Sequence, residues 1–575
     1  MKIILTLVSF LITAHIGLQS QNTIIQNIKI IDVKTGDISE PLNILIAGDK
    51  IVEISKKVHS TKGVSKVVDG TDTFAIPGLI DTHIHFFQTG GLYTRPDALD
   101  LTHIYSYRKE IERAKKLIPD HFKRYLRLGI TSVMDLGGPF YNFKIRDSLS
   151  KDTLAPNVFV TGPLFSPYQP KAFSQLDDIP IEKITSINDA NALFDKMLSY
   201  KPDFIKIWYI ANKDHPAEDT FEIVNHIAKR THDNKLKLAV HATDLSTAKL
   251  AVKAGADILV HSIRDEIIPK DFIEALKANN VTYIPTLLVS KNYISTFFSE
   301  LPHHSQDLTF ANPELYNTLS DLQKIEASQT PERLKKVLPN KKNIYHRYEQ
   351  SDSIQALNLK LLSDNDVAIA TGSDAGNIGT MHASSYIQEA ELMKKSGLSA
   401  FEILKASTYN AAKAFGLEDK IGSIATGKIA DLVLLSKNPL DDITNLNSIT
   451  EVIKSGVPLN ILNTYQETPS QIVQRQVNAY NARNIEAFMA TYSDDIKIFN
   501  FPEEISINGK DELRQRFSQL FEKVPNLYCE IKNRIVLGNK VVDREHVRFN
   551  ERYSDVIAIY ELTNNKISKV TFLRQ

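Results

Sequence analysis

Between Ala75 and Gly376 the chain alternates short β-branched, apolar runs with stretches whose apolar residues recur at helical spacing. The runs are LIDTHIH (79–85), ITSVMDLGG (130–138), NVFVTG (157–162), DFIKIWYI (203–210), LKLAVHA (236–242), DILVHS (257–262), VTYIPTL (281–287) and VAIATGSDAG (367–376). Segments such as TFEIVNHIAKR and STAKLAVKAGA lie between them and read as amphipathic helices. Eight strands alternating with helices predict an α/β domain over residues 77–420, a (β/α)8 TIM-type barrel rather than an open sheet. After the seventh run, residues 289–363 read as a helical insertion, the kind of long loop that forms a lid or a substrate-binding element.

Both flanks depart from this pattern. Residues 27–54 alternate apolar and polar positions, with turn signals at Thr35-Gly36 and Gly48-Asp49; residues 422–443 and 449–459 read the same way. Neither flank is large enough for a core of its own. Residues 21–76 and 421–462 are therefore expected to pack as one composite β-sandwich. A linker is expected at 463–470, followed by an α+β unit over 471–575 that opens on a helix or helix pair and ends in alternating strands.

The first twenty residues have one early lysine, an apolar run from Ile3 to Ala14 and the small Ser20 at a polar end. They read as a signal peptide (1–20) cleaved after Ser20, which predicts a periplasmic or secreted protein. The apolar run is too short to span a bilayer, no cysteine lies near the cleavage site, and no other stretch suits a membrane helix. No stable membrane anchor is expected. The single cysteine, Cys529, excludes intramolecular disulfides, so packing alone must hold the fold. Composition is that of a globular protein, with 42% hydrophobic and 24% charged residues. The balance of 68 basic against 68 acidic groups gives no whole-molecule reason to bind nucleic acid.

The candidate chemistry lies at the strand ends. His83 and His85, two apart in a strand, share a face, although an isolated pair of this kind is as readily two core histidines. Lys206 interrupts the apolar run FIKIWYI, where a buried ammonium is costly. His241, His261 and Asp374 each follow an apolar strand at its carboxyl end, the catalytic face of such barrels. Imidazole and carboxylate groups gathered on one rim point to a metal centre. Gly137 and Gly138 read as a turn, with backbone approach to the site as the lesser reading. Tyr283 and His382 are weak candidates for substrate contact, set against ordinary packing. The basic run 333–347 reads as a solvated helix face rather than an attractor of acidic substrate.

PGLIDTHIH, DFIKIW, AVHATD, VHS and TGSDAG together resemble the metal-dependent amidohydrolase superfamily, on the branch of imidazolonepropionases and prolidase-type dipeptidases. The segment GLSAFEILKASTYNAAKAFGLEDKIGSIATGKIADLVLLSKNPL is similar to that family's closing segment, and the likeness runs from about Asn22 to Ile461. The resemblance implies that His83, His85 and Asp374 bind one divalent ion and His241 and His261 a second, with a carbamate on Lys206 bridging them. Zinc is the first expectation; manganese, cobalt and iron suit the same ligands. It also implies hydrolysis of an amide-type C–N bond by a metal-activated water, with Asp374 as the catalytic proton shuttle. Small-molecule substrates follow: a dipeptide, a cyclic amide, a carbamate or a lactone-like ester. Two alternatives stay open, a mononuclear cyclic-amide hydrolase and a non-catalytic metal-stabilised binding protein, and the intact ligand set argues for an enzyme.

At the carboxyl end, VNAYNARNIEAFMATYSDDIKIFNF and GKDELRQRF resemble the SnoaL-like family, relatives of polyketide cyclases and ketosteroid isomerases, over about Ile472 to Gln575. The resemblance implies a cone with a pocket. Tyr492, Asp494 and Asp495 stand where a helix gives way to a strand, so capping and solvation account for them, and no catalytic residue is assigned. Ligand capture or homo-oligomer formation is the expected role of this unit.

Overall fold

Seven of the eight expected runs form regular parallel strands in the computed structural model, which describes residues 22–149, 152, 154–211, 216–459 and 465–574. The expected signal peptide lies outside the described residues. Leu79–Ile84, Ile130–Asp135 and Asn157–Val160 make a three-stranded sheet. Ile205–Trp208, Leu238–His241, Ile258–Val260 and Thr282–Ile284 belong to a six-stranded one. The other two strands of that sheet, Leu164–Ser166 and Ile181–Lys183, fall in the loop after the third run and carry no sequence signal beyond three residues each.

The eighth run is the one that departs from expectation. Residues 367–376 form no regular strand, yet their backbone bonds both neighbours. Tyr283 N donates to Ala368 O and Ala370 N to Tyr283 O; on the other side Thr82 N donates to Thr371 O and Asp374 N to His83 O. Gly372 permits this approach, since a Cβ there would lie 2.7 Å from Ile284 Cγ2 and 2.9 Å from the His83 Cβ. Asp374 then turns away at a φ of 55°. The two sheets also meet where Asp203 N donates to Val160 O at 3.0 Å, while the Asp203 carboxylate accepts from Val160 N.

Apolar side chains from these strands, among them Ile80, Met134, Phe204, Ala239 and Ile284, are buried against Ala411 and Phe415. Burying each large one stabilises the fold by roughly 1.5–3 kcal/mol. Helices alternate with the strands, and local chemistry sets their ends. Leu245–Ala254 starts where the Asp244 carboxylate accepts from Thr247 N at 2.8 Å and stops at Gly255, whose φ is 104°. That cap fixes the loop directly after His241.

The two flanks form one mixed sheet of eight strands. Its order runs Val457–Leu459, Ile449–Lys454, Leu432–Leu435, Phe74–Pro77, Asn22–Ile30, Leu42–Ala47 and Lys50–Ser55, with Val64–Asp69 also paired to Asn22–Ile30. Residues from both ends of the chain, including Ile25, Ile44, Leu432 and Ile453, share its core. The insertion is helical, as its pattern predicts: Leu288–Phe297, Ser305–Phe310, Pro313–Thr318, Glu332–Val337 and Lys341–Asp364.

The last unit has a six-stranded sheet and helices Pro469–Asn481, Ile485–Met489 and Lys510–Lys523 around Tyr480, Phe488, Tyr492 and Phe521. Pro469–Asn481 is buried against the insertion, where Arg475 donates to Leu308 O and Ala311 O. Within the expected linker, Glu467 is buried between Arg475 and Arg124, so this end of it is packed rather than a free spacer.

Candidate metal centre

His83 and His85 point the same way from the end of the first strand, as residues two apart must. Their Nε2 atoms are 3.2 Å apart, and each lies 3.2 Å from Asp374 Oδ1. Three donors at that mutual spacing suit a shared ion at about 2.0–2.2 Å from each. His261 Nδ1 stands 3.9 Å from Asp374 Oδ2, and the His261 ring lies 4.3 Å from that of His241, centroid to centroid. The donor atoms of His83, His261 and Asp374 all fall within 4.8 Å of one another. Lys206, His241 and these four line one cavity of about 760 Å³.

The electrostatics suit a cation that the protein alone does not supply. Burial holds the His83, His241 and His261 imidazoles well below their ordinary range, with Lys206 and the neighbouring histidines adding to it. Each is a neutral imidazole, the form that ligates metal. Burial also lowers the Lys206 ammonium to about 7, against the pull of Asp374. Lys206 Nζ, His83 Nδ1 and Asp374 Oδ1 are buried without a hydrogen-bond partner. Orphaned donors and acceptors of this kind cost stability unless a ligand engages them.

Residues behind the candidate ligands aim them. His85 Nδ1 meets the Gly137 carbonyl at 2.8 Å, which assigns the proton to Nδ1 and leaves the Nε2 lone pair facing Asp374. The turn reading of Gly137 is thereby corrected: its backbone does approach the site, and at a φ of 146° a Cβ would lie 2.6 Å from Leu164. His261 Nδ1 lies 2.7 Å from Thr286 Oγ1. Thr286 has a φ of 46° and His261 one of 77°, conformations that side-chain-bearing residues adopt at a cost and that cluster at functional sites. Asp81 accepts from Ser373 N at 2.9 Å and Ser373 Oγ at 2.6 Å, tying the first strand to the segment that carries Asp374. Burial raises its carboxyl to about 7 in spite of those bonds.

Two candidates from the sequence do not reach the cavity. Tyr283 is buried and accepts from Ile263 N at 2.8 Å. His382 is buried between the Gln88 carbonyl, at 2.8 Å, and the Tyr125 hydroxyl, at 3.0 Å. Both are packing residues. The basic run is solvated: Arg333, Lys335, Lys336, Lys342 and Arg347 are all exposed, and Arg333 and Arg347 also line the cavity. Sequence reasoning missed Thr286 and Arg95, as well as the role of Asp81. Arg95 is held by Asp97 at 2.6 Å and bonds Asn377 across the cavity. No local pattern marks them, because each gains its role from a partner distant in the chain.

The amidohydrolase family model matches residues 74–459, and the SnoaL-like domain model matches 473–570. The chain belongs to the amidohydrolase family, whose members are hydrolases and generally depend on metal, and it carries a SnoaL-like domain at its carboxyl end. Among curated proteins it is 22% identical over 448 residues to a 5-methylthioadenosine/S-adenosylhomocysteine deaminase of Caldicellulosiruptor saccharolyticus, covering 73% of this chain and 86% of that one. A Xaa-Pro dipeptidase crystallised with methionine shares the fold at a TM-score of 0.58 and 22% identity, over 76% of this chain and 100% of its own. Phenylurea hydrolase B does so at 0.58 and 18%, over 77% and 97%.

Proposed function

We propose that this chain hydrolyses an amide-type C–N bond of a small molecule at a binuclear metal centre in the mouth of a closed (β/α)8 barrel. The observation that carries the reading is the convergence of His83, His85, Lys206, His241, His261 and Asp374 on one cavity, with the Lys206 amine buried and unpaired. Barrel closure rests on the bonds between Val160 and Asp203 and on those that residues 368–374 make to both neighbours.

His83, His85 and Asp374 would hold one ion and His241 and His261 the second. Two such ions, with zinc the first choice for these donors, would supply an acidified water and a polarised scissile carbonyl. The chain's own groups do the rest. Near neutrality much of Lys206 is free amine, which adds carbon dioxide: the N–C bond forms, a proton leaves, and the carbamate offers an oxygen to each side. Asp374 takes a proton and returns it to the departing nitrogen, held in place by the backbone bond from its N to His83 O and by the Asp81–Ser373 pair beneath it. A mononuclear centre is the second reading, favoured by the compact set of His83, His261 and Asp374. We read the mature chain as exported, on the strength of residues 1–20.

The test is turnover of a panel of small amides, followed by release of free amine. The metal-loaded protein should cleave members of the panel, and Asp374→Asn should lose at least about a hundredfold in kcat while its circular dichroism is unchanged. Undiminished turnover in that variant would contradict the assignment.

A further inference from the structure

Helix Leu288–Phe297 starts directly after the loop of Thr286, the residue that meets His261, and its N-cap Leu287 supplies no side-chain bond. The cap comes from elsewhere. Glu389, on helix Ser384–Lys395, accepts from Leu287 N at 2.8 Å with Oε1 and from Leu288 N at 3.0 Å with Oε2. Its side chain is fully buried, and no cation among the described residues pairs with it. A buried carboxylate without a counter-ion is costly, and a Ser or Asn at the N-cap would engage the same donors without that cost.

What the distant carboxylate adds is a fixed position for the loop. Pro285 O accepts from Ser262 Oγ at 2.9 Å on one side of Thr286, and Glu389 holds the two amides that follow it on the other. Between these anchors Thr286 is kept at a φ of 46°, which its side chain disfavours. In that conformation its Oγ1 lies 2.7 Å from His261 Nδ1. A metal-ligating imidazole depends on such a bond for its tautomer and its aim.

We propose that Glu389 is a positioning residue of the metal centre: by holding the Leu287 and Leu288 amides it keeps the Thr286 hydroxyl on His261 Nδ1, and so aims the His261 ring at its ion. The inference rests on the metal-centre reading above and holds for either number of ions, because His261 is a candidate ligand in both. The plainer role for Glu389 is a helix cap alone. Helix Leu288–Phe297 carries Tyr293 and Phe297 into the cavity, so a cap that served only the helix would act on stability and substrate, not on the ion.

The test is competition with a chromophoric chelator on the full-length cobalt-loaded protein, beside its visible cobalt spectrum, for Glu389→Gln, Thr286→Val and the double variant. Glutamine keeps the size of the side chain and one acceptor, while its amide N–H group confronts the second backbone N–H. The ion served by His261 should be held at least about tenfold more weakly in Glu389→Gln, with its visible band shifted. The double variant should bind that ion no more weakly than Thr286→Val does, since Glu389 acts through the hydroxyl already removed. Should Glu389→Gln fail to fold, Glu389→Asp, which keeps the charge and shortens the reach, takes its place with the same expectations. Unchanged affinity and spectrum in a folded Glu389 variant overturn the inference. So do losses that multiply in the double variant, which would leave Glu389 acting by another route. One ion per chain, weakened as described, supports the inference and overturns the bridged pair. A native protein that takes up no ion overturns both.

Discussion

At the scale of single residues, the candidate ligands depend on partners that fix their aim. His261 is held by Thr286, which keeps a costly left-handed backbone to reach it. Thr286→Val preserves the shape and removes the hydroxyl, so the ion served by His261 should be held about 10–100-fold more weakly. Competition with a chromophoric chelator reads that change, and unchanged affinity would contradict the orienting role. The candidate ligands were legible because strand parity and strand ends dictate where a side chain points. His83, His85, His241, His261 and Asp374 follow from that rule, and Lys206 from its interruption of an apolar run. Asp81 stood in the same run, but its partner Ser373 is 292 positions away, and nothing local identifies the pair. Tyr283 shows the converse: it lies within a short barrel strand, and its hydroxyl is spent on the Ile263 amide.

At the scale of elements, the ion cluster beside helix Pro469–Asn481 joins the last unit to the rest. Glu467 bonds Arg475 and Arg124, both buried, and Arg475 reaches the Leu308 and Ala311 carbonyls at the carboxyl end of the inserted helix Ser305–Phe310. Burial alone would raise the Glu467 carboxyl; Arg475, Arg124 and Arg127 outweigh it and bring it down to about 2. A carboxyl depressed in the folded state adds stability that is complete above its ordinary value of about 4.5 and fades as pH falls towards 2.

Glu467→Gln leaves two buried guanidinium groups short of their counter-charge, at a cost of about 3–5 kcal/mol near neutral pH. In thermal unfolding the gap between variant and native should narrow as pH falls from about 4.5 towards 2. A gap that stays constant over that window would mean the charge is not what matters. The regular strands and the helical insertion were legible from periodicity. The eighth strand was legible as a run but not in its geometry, because Gly372 and Asp374 bend the backbone where it must meet His83.

At the scale of the whole molecule, the chain sets the cavity of the candidate metal centre between a helical insertion and the parallel strands, and packs a SnoaL-like unit against that insertion. The pairing of the two flanks was legible because neither holds a core alone, and both contribute to the one around Ile44 and Leu432. The brace was not legible. The face of Pro469–Asn481 and the helical pattern of the insertion are each visible in sequence, but nothing local says that the two meet, because Arg475 bonds carbonyls more than 160 positions away.

The central claim is that Lys206 joins two ions in one centre, and the direct measurement is metal stoichiometry of the full mature chain by elemental mass spectrometry, beside Lys206→Ala. The account predicts two divalent ions per chain in the native protein and a clear fall on that substitution, with the fold intact by circular dichroism. One ion in both proteins would contradict the bridged centre and leave the mononuclear reading; no ion in either, after reconstitution with zinc and bicarbonate, would contradict a metal centre altogether.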